Sequence, residues 1–491
     1  MKTRIFLAFC VCAFAFTSCK KDKSPDPTVE KETLLRDSTY YYSILLSLWT
    51  DQIPEPKMKN NDEIDLRAFT GNLSTAEDVL KKVKTYTTLD RFSFIDRAGV
   101  VGEEIGEGIH KEFGLVPDYF SPDQTAQNAK LYIKLVQKNS PAEAAGIVRG
   151  MEVLAIDGNT KIDYISQSEK DFDLVNKLFG GPEKISVQVK HPVSSQVTTV
   201  SLSAGSYNIQ PILANKVIER SGKKIGYLAY TSFVEVLSKS GVTGYHTALN
   251  QAVKTLESQG INELVVDLRY NGGGSTNAAE LLINLLAPTN VGKGTMYSYK
   301  INQYLKGWGW DDENDPEAPF KSVKFNKTNS LNLSKIYFIV TKSTASASEL
   351  LMNSLKPHMQ VEIISENNTG SYGKPVGFFG LPVVDEYADL YITSFQTLNS
   401  AGQGDYFNGL VGTKKNSYDD VSKQLGDPTE RMFADAIYHI VNNNYQSASA
   451  STRRTSSGQI IRPKTFNMPV KSNIEMGMFK FSHDKEVPQI K

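Results

Sequence analysis

The segment Thr341-Lys342-Ser343-Thr344-Ala345-Ser346-Ala347-Ser348-Glu349 sets a run of small hydroxyl residues between an apolar strand, Ile336 to Val340, and a helix, Ala347 to Lys356. A serine at that junction holds its Oγ at the positive end of the helix dipole. The N–H of Ala347 has no acceptor inside the helix and can face a developing oxyanion, which is the chemistry of acyl transfer. The same residues also suit a plain helix cap, where Ser and Thr are favoured. A second segment, Asp267-Leu268-Arg269-Tyr270-Asn271-Gly272-Gly273-Gly274, ends a strand in three glycines, which let backbone N–H groups approach a ligand closely. A phosphate loop would need Gly-Lys-Ser/Thr or G-x-G-x-x-G, and neither is present. Asp267 and Arg269 read as structural. The third segment, Gly370-Ser371-Tyr372-Gly373-Lys374-Pro375-Val376-Gly377-Phe378-Phe379, puts one lysine in a glycine turn among Tyr372, Val376, Phe378 and Phe379. Desolvation by such neighbours disfavours the ammonium, the direction a general base requires. A solvated loop lysine is the alternative.

The elements that must hold these segments alternate strand and helix over residues 206–445. Strands are expected at Ile225 to Phe233, Leu264 to Leu268, Ile336 to Val340 and Val361 to Ile364. Helices are expected at Tyr245 to Leu256, Asn277 to Leu286 and Ala347 to Lys356, stopped by Gly260, Pro288 and Pro357. That alternation argues a layered α/β core. Gln303 to Leu333 (with WGWDDENDPEAP) reads as a polar and aromatic surface insertion. Residues 33–100 carry helical patterns, with a capping box at Ser74-Thr75-Ala76-Glu77.

Residues 101–205 change to short β runs and turns. A strand at Leu131 to Val136 precedes Ser140-Pro141-Ala142-Glu143-Ala144-Ala145-Gly146, and Gly150-Met151-Glu152-Val153-Leu154-Ala155-Ile156-Asp157-Gly158 follows. This resembles a PDZ domain of the bacterial protease type, with Met151 in place of the usual Asp. The resemblance extends to Gly108-Ile109-His110-Lys111-Glu112-Phe113-Gly114, which implies that Gly108, Ile109 and Phe113 hold a peptide C-terminus by strand addition. A small β-domain that merely packs is the alternative.

Taken together, the PDZ-like region, the D-L-R-x-N-x-G-G strand end, the S-A-S-E turn and the downstream G-K lysine resemble the C-terminal processing (tail-specific) peptidase family. The likeness covers residues 100–440, roughly 70% of the chain. It implies a multidomain α/β protein with a crotonase-like catalytic core, a PDZ β-domain and an N-terminal helical region. It further implies Ser346 as nucleophile, Lys374 as general base, the N–H groups of Gly274 and Ala347 as the oxyanion hole, and no cofactor or metal. Substrates would be proteins or peptides, recognised by their C-termini. Two departures stand out: 28 residues separate Ser346 from Lys374, which marks an insertion at Glu366–Ser371, and Phe378 stands where the family often has Gln. The competing class is a catalytically inactive PDZ-type binding lipoprotein. None of the six histidines sits in a triad motif, and there is no HExxH.

Composition narrows the rest. With 54 cationic and 54 anionic side chains the net charge is zero, which argues against a nucleic-acid binder. The three cysteines are Cys10, Cys12 and Cys19, so no disulfide framework or cysteine metal site exists beyond residue 19. Lys2 and Arg4 followed by an apolar run, Ile5 to Phe16, read as a secretory signal too short to span a bilayer. Thr17-Ser18-Cys19 resembles a lipoprotein box, which implies a signal over 1–18, acylation at Cys19 and a tether over 19–32. The expectation is a protein exported across the inner membrane and held by lipid in the cell envelope, on the periplasmic side of the outer membrane. Residues 446–491, rich in Ser, Asn and Thr, read as a flexible tail.

Overall fold

The computed structural model describes residues 27–60, 63–378 and 380–446, together with 453–454, 460–461, 464–466, 468, 477–481 and 487 of the C-terminal segment. The leader with Cys19, and Phe379, lie outside the described residues. The architecture is multidomain and mixed α/β. In the N-terminal part, α1 (Pro27–Leu46) packs on α2 (Ala76–Lys84) by burying Tyr40 and Ile44 against Val79 and Val83. The capping box lies one residue later than expected. Helix α2 begins at Ala76, so Asp78 occupies the third helical position, and Thr75 and Asp78 exchange the two bonds at 3.1 Å each.

The β-rich part follows. Strand β1 (Ile109–Glu112) pairs with β7 (Gly205–Asn208). A sheet runs in the order β2 (Leu115–Ser121), β3 (Lys130–Val136), β4 (Glu152–Ile156), β5 (Lys184–Lys190) and β6 (Val197–Ser203). In β3, Leu131, Ile133 and Leu135 are buried while the residues between them are not, the period-two signature of a one-sided sheet.

The α/β part is built on a five-stranded sheet in the order β8 (Ile212–Arg220), β9 (Lys223–Tyr230), β10 (Glu263–Asp267), β11 (Lys335–Val340) and β12 (Gln360–Ser365). Strands β9 to β12 are parallel, and β8 is an antiparallel edge. Helices α3 (Gly244–Ser258), α4 (Thr276–Leu286) and α5 (Ala347–Leu355) share one core with Val266 and Phe338. Helix α6 (Arg431–Asn442) shares a second core with Val265 and Ile339. Burial on both faces explains why these strands read as unbroken apolar runs. The three chemical segments leave the carboxyl ends of β10, β11 and β12, where parallel α/β sheets place their sites.

Two expectations need correction. The insertion at Gln303–Leu333 is not a mere surface loop. Its Trp310, Phe320, Phe325, Leu331 and Leu333 are buried in the main core, so its charged stretch only covers an aromatic plug. The segment expected to be a free tail contributes β13 (Lys464–Phe466), antiparallel to the open edge of β2, and β14 (Met478–Phe479), parallel to Gly274–Ser275.

Buried charge joins the β-rich part to the α/β part. Arg269 meets Asp267 and Asp419 at 2.7 Å and Glu430 at 2.9 Å, and Arg149 reaches Asp419 at 2.5 Å. Asp267 and Arg269 are thus members of a buried ion network, a structural use for the first half of their motif. Beside that seam stands half-buried Glu366. Burial pushes its carboxyl up to about 7; the Thr465 hydroxyl at 2.6 Å opposes this, Asp419 and Asp118 add to it, and Lys134 opposes it again. A carboxyl raised in the fold contributes stability that is complete below its unfolded value of 4.5 and is lost as pH rises to about 7. Glu366→Gln is therefore expected to match the parent in urea unfolding at pH 4 and to exceed it by about 1–2 kcal/mol at pH 8. An equal advantage at both values would rule out this linkage.

Candidate active site

Ser346 ends the turn after β11 with φ 59° and ψ −108°, a strained conformation for a residue with a Cβ. Strain of about 1–3 kcal/mol persists only where neighbours over-determine the geometry. Here the neighbour is Glu349, one turn into α5. Its Oε2 accepts the backbone N–H groups of both Ser346 and Lys374 at 2.8 Å. Its Oε1 accepts the Gly373 N–H at 2.8 Å and the Ser371 hydroxyl. One buried carboxylate thus ties the serine turn to the lysine loop across 28 residues of sequence. Burial raises the Glu349 carboxyl above its ordinary value, against the pull of these four donors. The sequence signal for this role is the Glu at the third helical position, which commonly reaches back to the cap N–H.

Ser346 is fully buried, and its Oγ donates to the Val376 carbonyl at 3.3 Å. Ser348, two residues on, turns its Oγ to the Asn271 carbonyl at 3.1 Å and belongs to the packing. Asn271 also orients the glycine loop, accepting the Gly273 N–H at 2.9 Å and donating to the Tyr230 carbonyl at 3.0 Å. Gly273 and Gly274 both have positive φ, 114° and 134°. A Cβ on Gly274 would stand 2.3 Å from the Phe233 carbonyl oxygen, so the loop requires glycine. The Gly274 N–H points to the Gly477 carbonyl at 2.6 Å. Ala347 is the first residue of α5, so its N–H is one of those a helix leaves unpaired.

Lys374 is 1% exposed, which removes the solvated-loop alternative. Its Nζ lies 4.5 Å from the centre of the Phe378 ring and 5.0 Å from that of Phe92. Phe378, at the position where Gln was expected, forms an apolar wall over the lysine, and its backbone N–H reaches the Met478 carbonyl at 2.9 Å. Phe92 comes from the N-terminal part. Next to it, Arg91 donates to the carbonyls of Gly373 and Phe407 at 3.1 and 2.8 Å and pins the lysine loop from outside. No sequence signal connects residues so distant along the chain.

The three residues expected to hold a peptide separate. Phe113 is fully buried in the core of the β-rich part, because it faces inward between β1 and β2, and it cannot touch a ligand. Gly108 carries its carbonyl to the Tyr245 hydroxyl and the Ile209 N–H, and β7 already pairs with Ile109. Ile109 nevertheless lines a cleft of about 630 Å³ whose far wall is Gly272, Gly273 and Gly274. Gly477 and Phe479 line the same cleft.

Glu349→Gln leaves one acceptor oxygen for four donors and turns an amide toward the others. Each buried donor left unpaired costs about 1–3 kcal/mol. The expected result is a Tm several degrees lower and a loss of turnover of about 10²-fold or more. Parental turnover at parental Tm would show that Glu349 positions nothing.

Residues 224–409 match the model of peptidase family S41. A carboxyl-terminal-processing protease of Picosynechococcus is 28% identical over 254 residues, 51% of this chain and 53% of that protein. Carboxy-terminal processing protease CtpB of Bacillus subtilis is 23% identical over 408 residues, 82% of this chain and 70% of that protein. The chain thus spans about half the length of the first relative. A solved structure of a candidate S41 protease from Bacteroides fragilis, 22% identical, superposes with a TM-score of 0.61 over 83% of this chain and 97% of that one. That likeness bears on the fold.

Proposed function

We propose that this chain, whose residues 224–409 match the model of peptidase family S41, is a serine endopeptidase of the cell envelope that works with a Ser346–Lys374 dyad. The observation that carries this reading is the shared Glu349 oxygen, which holds the backbones of both residues in one place. The Ser346 Oγ attacks a peptide carbonyl, and the neutral amine of Lys374 takes its proton. The Gly274 and Ala347 N–H groups stabilise the oxyanion. Lys374 then delivers the proton to the leaving amine, and water hydrolyses the acyl ester. Lys374 is 1% exposed, with its Nζ over the rings of Phe92 and Phe378, so water is kept from the amine. The catalytic sheet is read as crotonase-like and the β-rich part as a PDZ domain whose cleft delivers an unfolded polypeptide, presented by its C-terminus, to Gly274.

The test is covalent labelling by a fluorophosphonate together with turnover of a denatured protein. Label on Ser346 with turnover supports the reading. Peptide binding with neither label nor turnover favours the inactive binding lipoprotein.

Anchoring through a lipid on Cys19 completes the proposal. Cys19→Ser removes the thiol that acylation needs and is expected to move the protein from the membrane fraction to the soluble envelope fraction. Equal fractionation of mutant and parent would leave an ordinary cleaved signal instead.

A further inference from the structure

The acyl site of this chain contains a segment of the chain itself. The Gly477 carbonyl accepts the Gly274 N–H at 2.6 Å, the bond that the proposed mechanism reserves for a substrate carbonyl. A Cβ placed on Gly273 would stand 2.2 Å from the Gly477 oxygen and 3.1 Å from the Ser346 Cβ, so that carbonyl and the serine meet over one glycine. The segment is held as an extended strand on both sides. It runs parallel to Gly274–Ser275, receives the Phe378 N–H on the Met478 carbonyl at 2.9 Å, and returns the Lys480 N–H to the Phe378 carbonyl at 2.8 Å.

Its side chains are seated as well. Gly477 is tightly fitted, because a Cβ there would come within 2.5 Å of the Phe479 ring and 3.1 Å of the Phe378 ring. Met478 is fully buried. Phe479 stacks on Phe378 with ring centres 5.6 Å apart and meets the edge of Tyr391 at 5.5 Å. Lys480 places its Nζ 5.6 Å from the centre of the Tyr299 ring and feels the charge of half-buried Glu280. Upstream, Lys464–Phe466 adds antiparallel to the open edge of β2, where Phe466 packs against Tyr164 at 5.1 Å. The same C-terminal segment therefore uses strand addition at the β-rich part and at the catalytic glycines.

We propose that residues 477–481 occupy the acyl site in cis as a substrate-like competitor, and that the site reads a glycine at the acyl carbonyl followed by an apolar, an aromatic and a cationic residue. The proposal rests on the peptidase reading of Ser346. A tethered occupant faces any free substrate at high effective concentration, so it slows every reaction at the serine until it is displaced.

The experiment measures the rate of fluorophosphonate labelling of Ser346, with the intact mass of the parent and of Lys480→Glu confirming that residue 491 is present. The parent is compared with Lys480→Glu, which sets like charge against Glu280, and with a chain ended at residue 470. Labelling at least about tenfold faster in the shortened chain, and several-fold faster in Lys480→Glu, is expected. An added acetylated peptide of residues 475–482 should slow the shortened chain again, in competition with the label. Where the shortened chain shows no cooperative melt, Lys480→Glu decides alone. Equal rates in parent and folded variants would overturn the cis competitor and leave the peptidase reading intact. Absence of label in every chain would instead strike the peptidase reading.

Discussion

Ser346→Ala is expected to abolish turnover of a denatured protein substrate, by about 10⁴-fold or more, because it removes the proposed nucleophile. The fold should survive the change. The hydroxyl makes one long bond, 3.3 Å to the Val376 carbonyl, and alanine at φ 59° bears the same backbone strain that Glu349 already holds in place. A Tm within a few degrees of the parent is expected. Ser348→Ala is the matched control. Its Oγ bonds the Asn271 carbonyl at 3.1 Å, so about 1 kcal/mol of stability is lost and activity remains. If Ser348→Ala is the dead protein and Ser346→Ala the active one, the nucleophile is misassigned.

Lys374→Ala and Lys374→Arg are expected to be equally inactive. Removing a general base costs about 10²–10⁴-fold in kcat/KM. Arginine cannot stand in for it, because a guanidinium does not deprotonate in the working range. The pair of variants separates base from charge. If Lys374 acted only as a cation, Lys374→Arg would retain activity where Lys374→Ala does not. A Lys374→Ala protein with more than about a tenth of parental kcat/KM would remove the lysine from the mechanism. The Phe92 wall supplies a milder companion readout, since Phe92→Ala lets water reach the amine and should cost activity without touching either member of the dyad.

The three reactive segments were legible because each is a local event. A strand that ends in Gly272-Gly273-Gly274, a hydroxyl turn that opens a helix at Ala347 and a glycine turn around Lys374 are specified by near neighbours in the chain. The parallel strands were legible for a related reason. Buried on both faces, they must be apolar throughout, and their observed bounds fall within a few residues of those the apolar runs suggest. The local signal was weaker at caps, where the box at Thr75–Asp78 lies one residue from Ser74–Glu77, because either hydroxyl satisfies the same pattern.

What tertiary structure alone decided is how distant segments share atoms. The Glu349 oxygen that joins Ser346 to Lys374, and the Phe92 ring over the lysine, arise from packing across tens or hundreds of residues. Phe113 shows the converse: a residue in a peptide-binding pattern that the sheet turns into the core. The insertion misled because its acidic surface stretch dominates its composition, while Trp310, Phe320 and Phe325, which anchor it, are few but buried in the main core. The C-terminal segment misled most. Its Ser, Asn and Thr content predicts a chain that cannot bury enough apolar surface to order itself. Yet Gly477 to Lys480 dock through backbone hydrogen bonds to Gly274 and Phe378, with two buried side chains, Met478 and Phe479, and backbone pairing is the one interaction that composition does not encode.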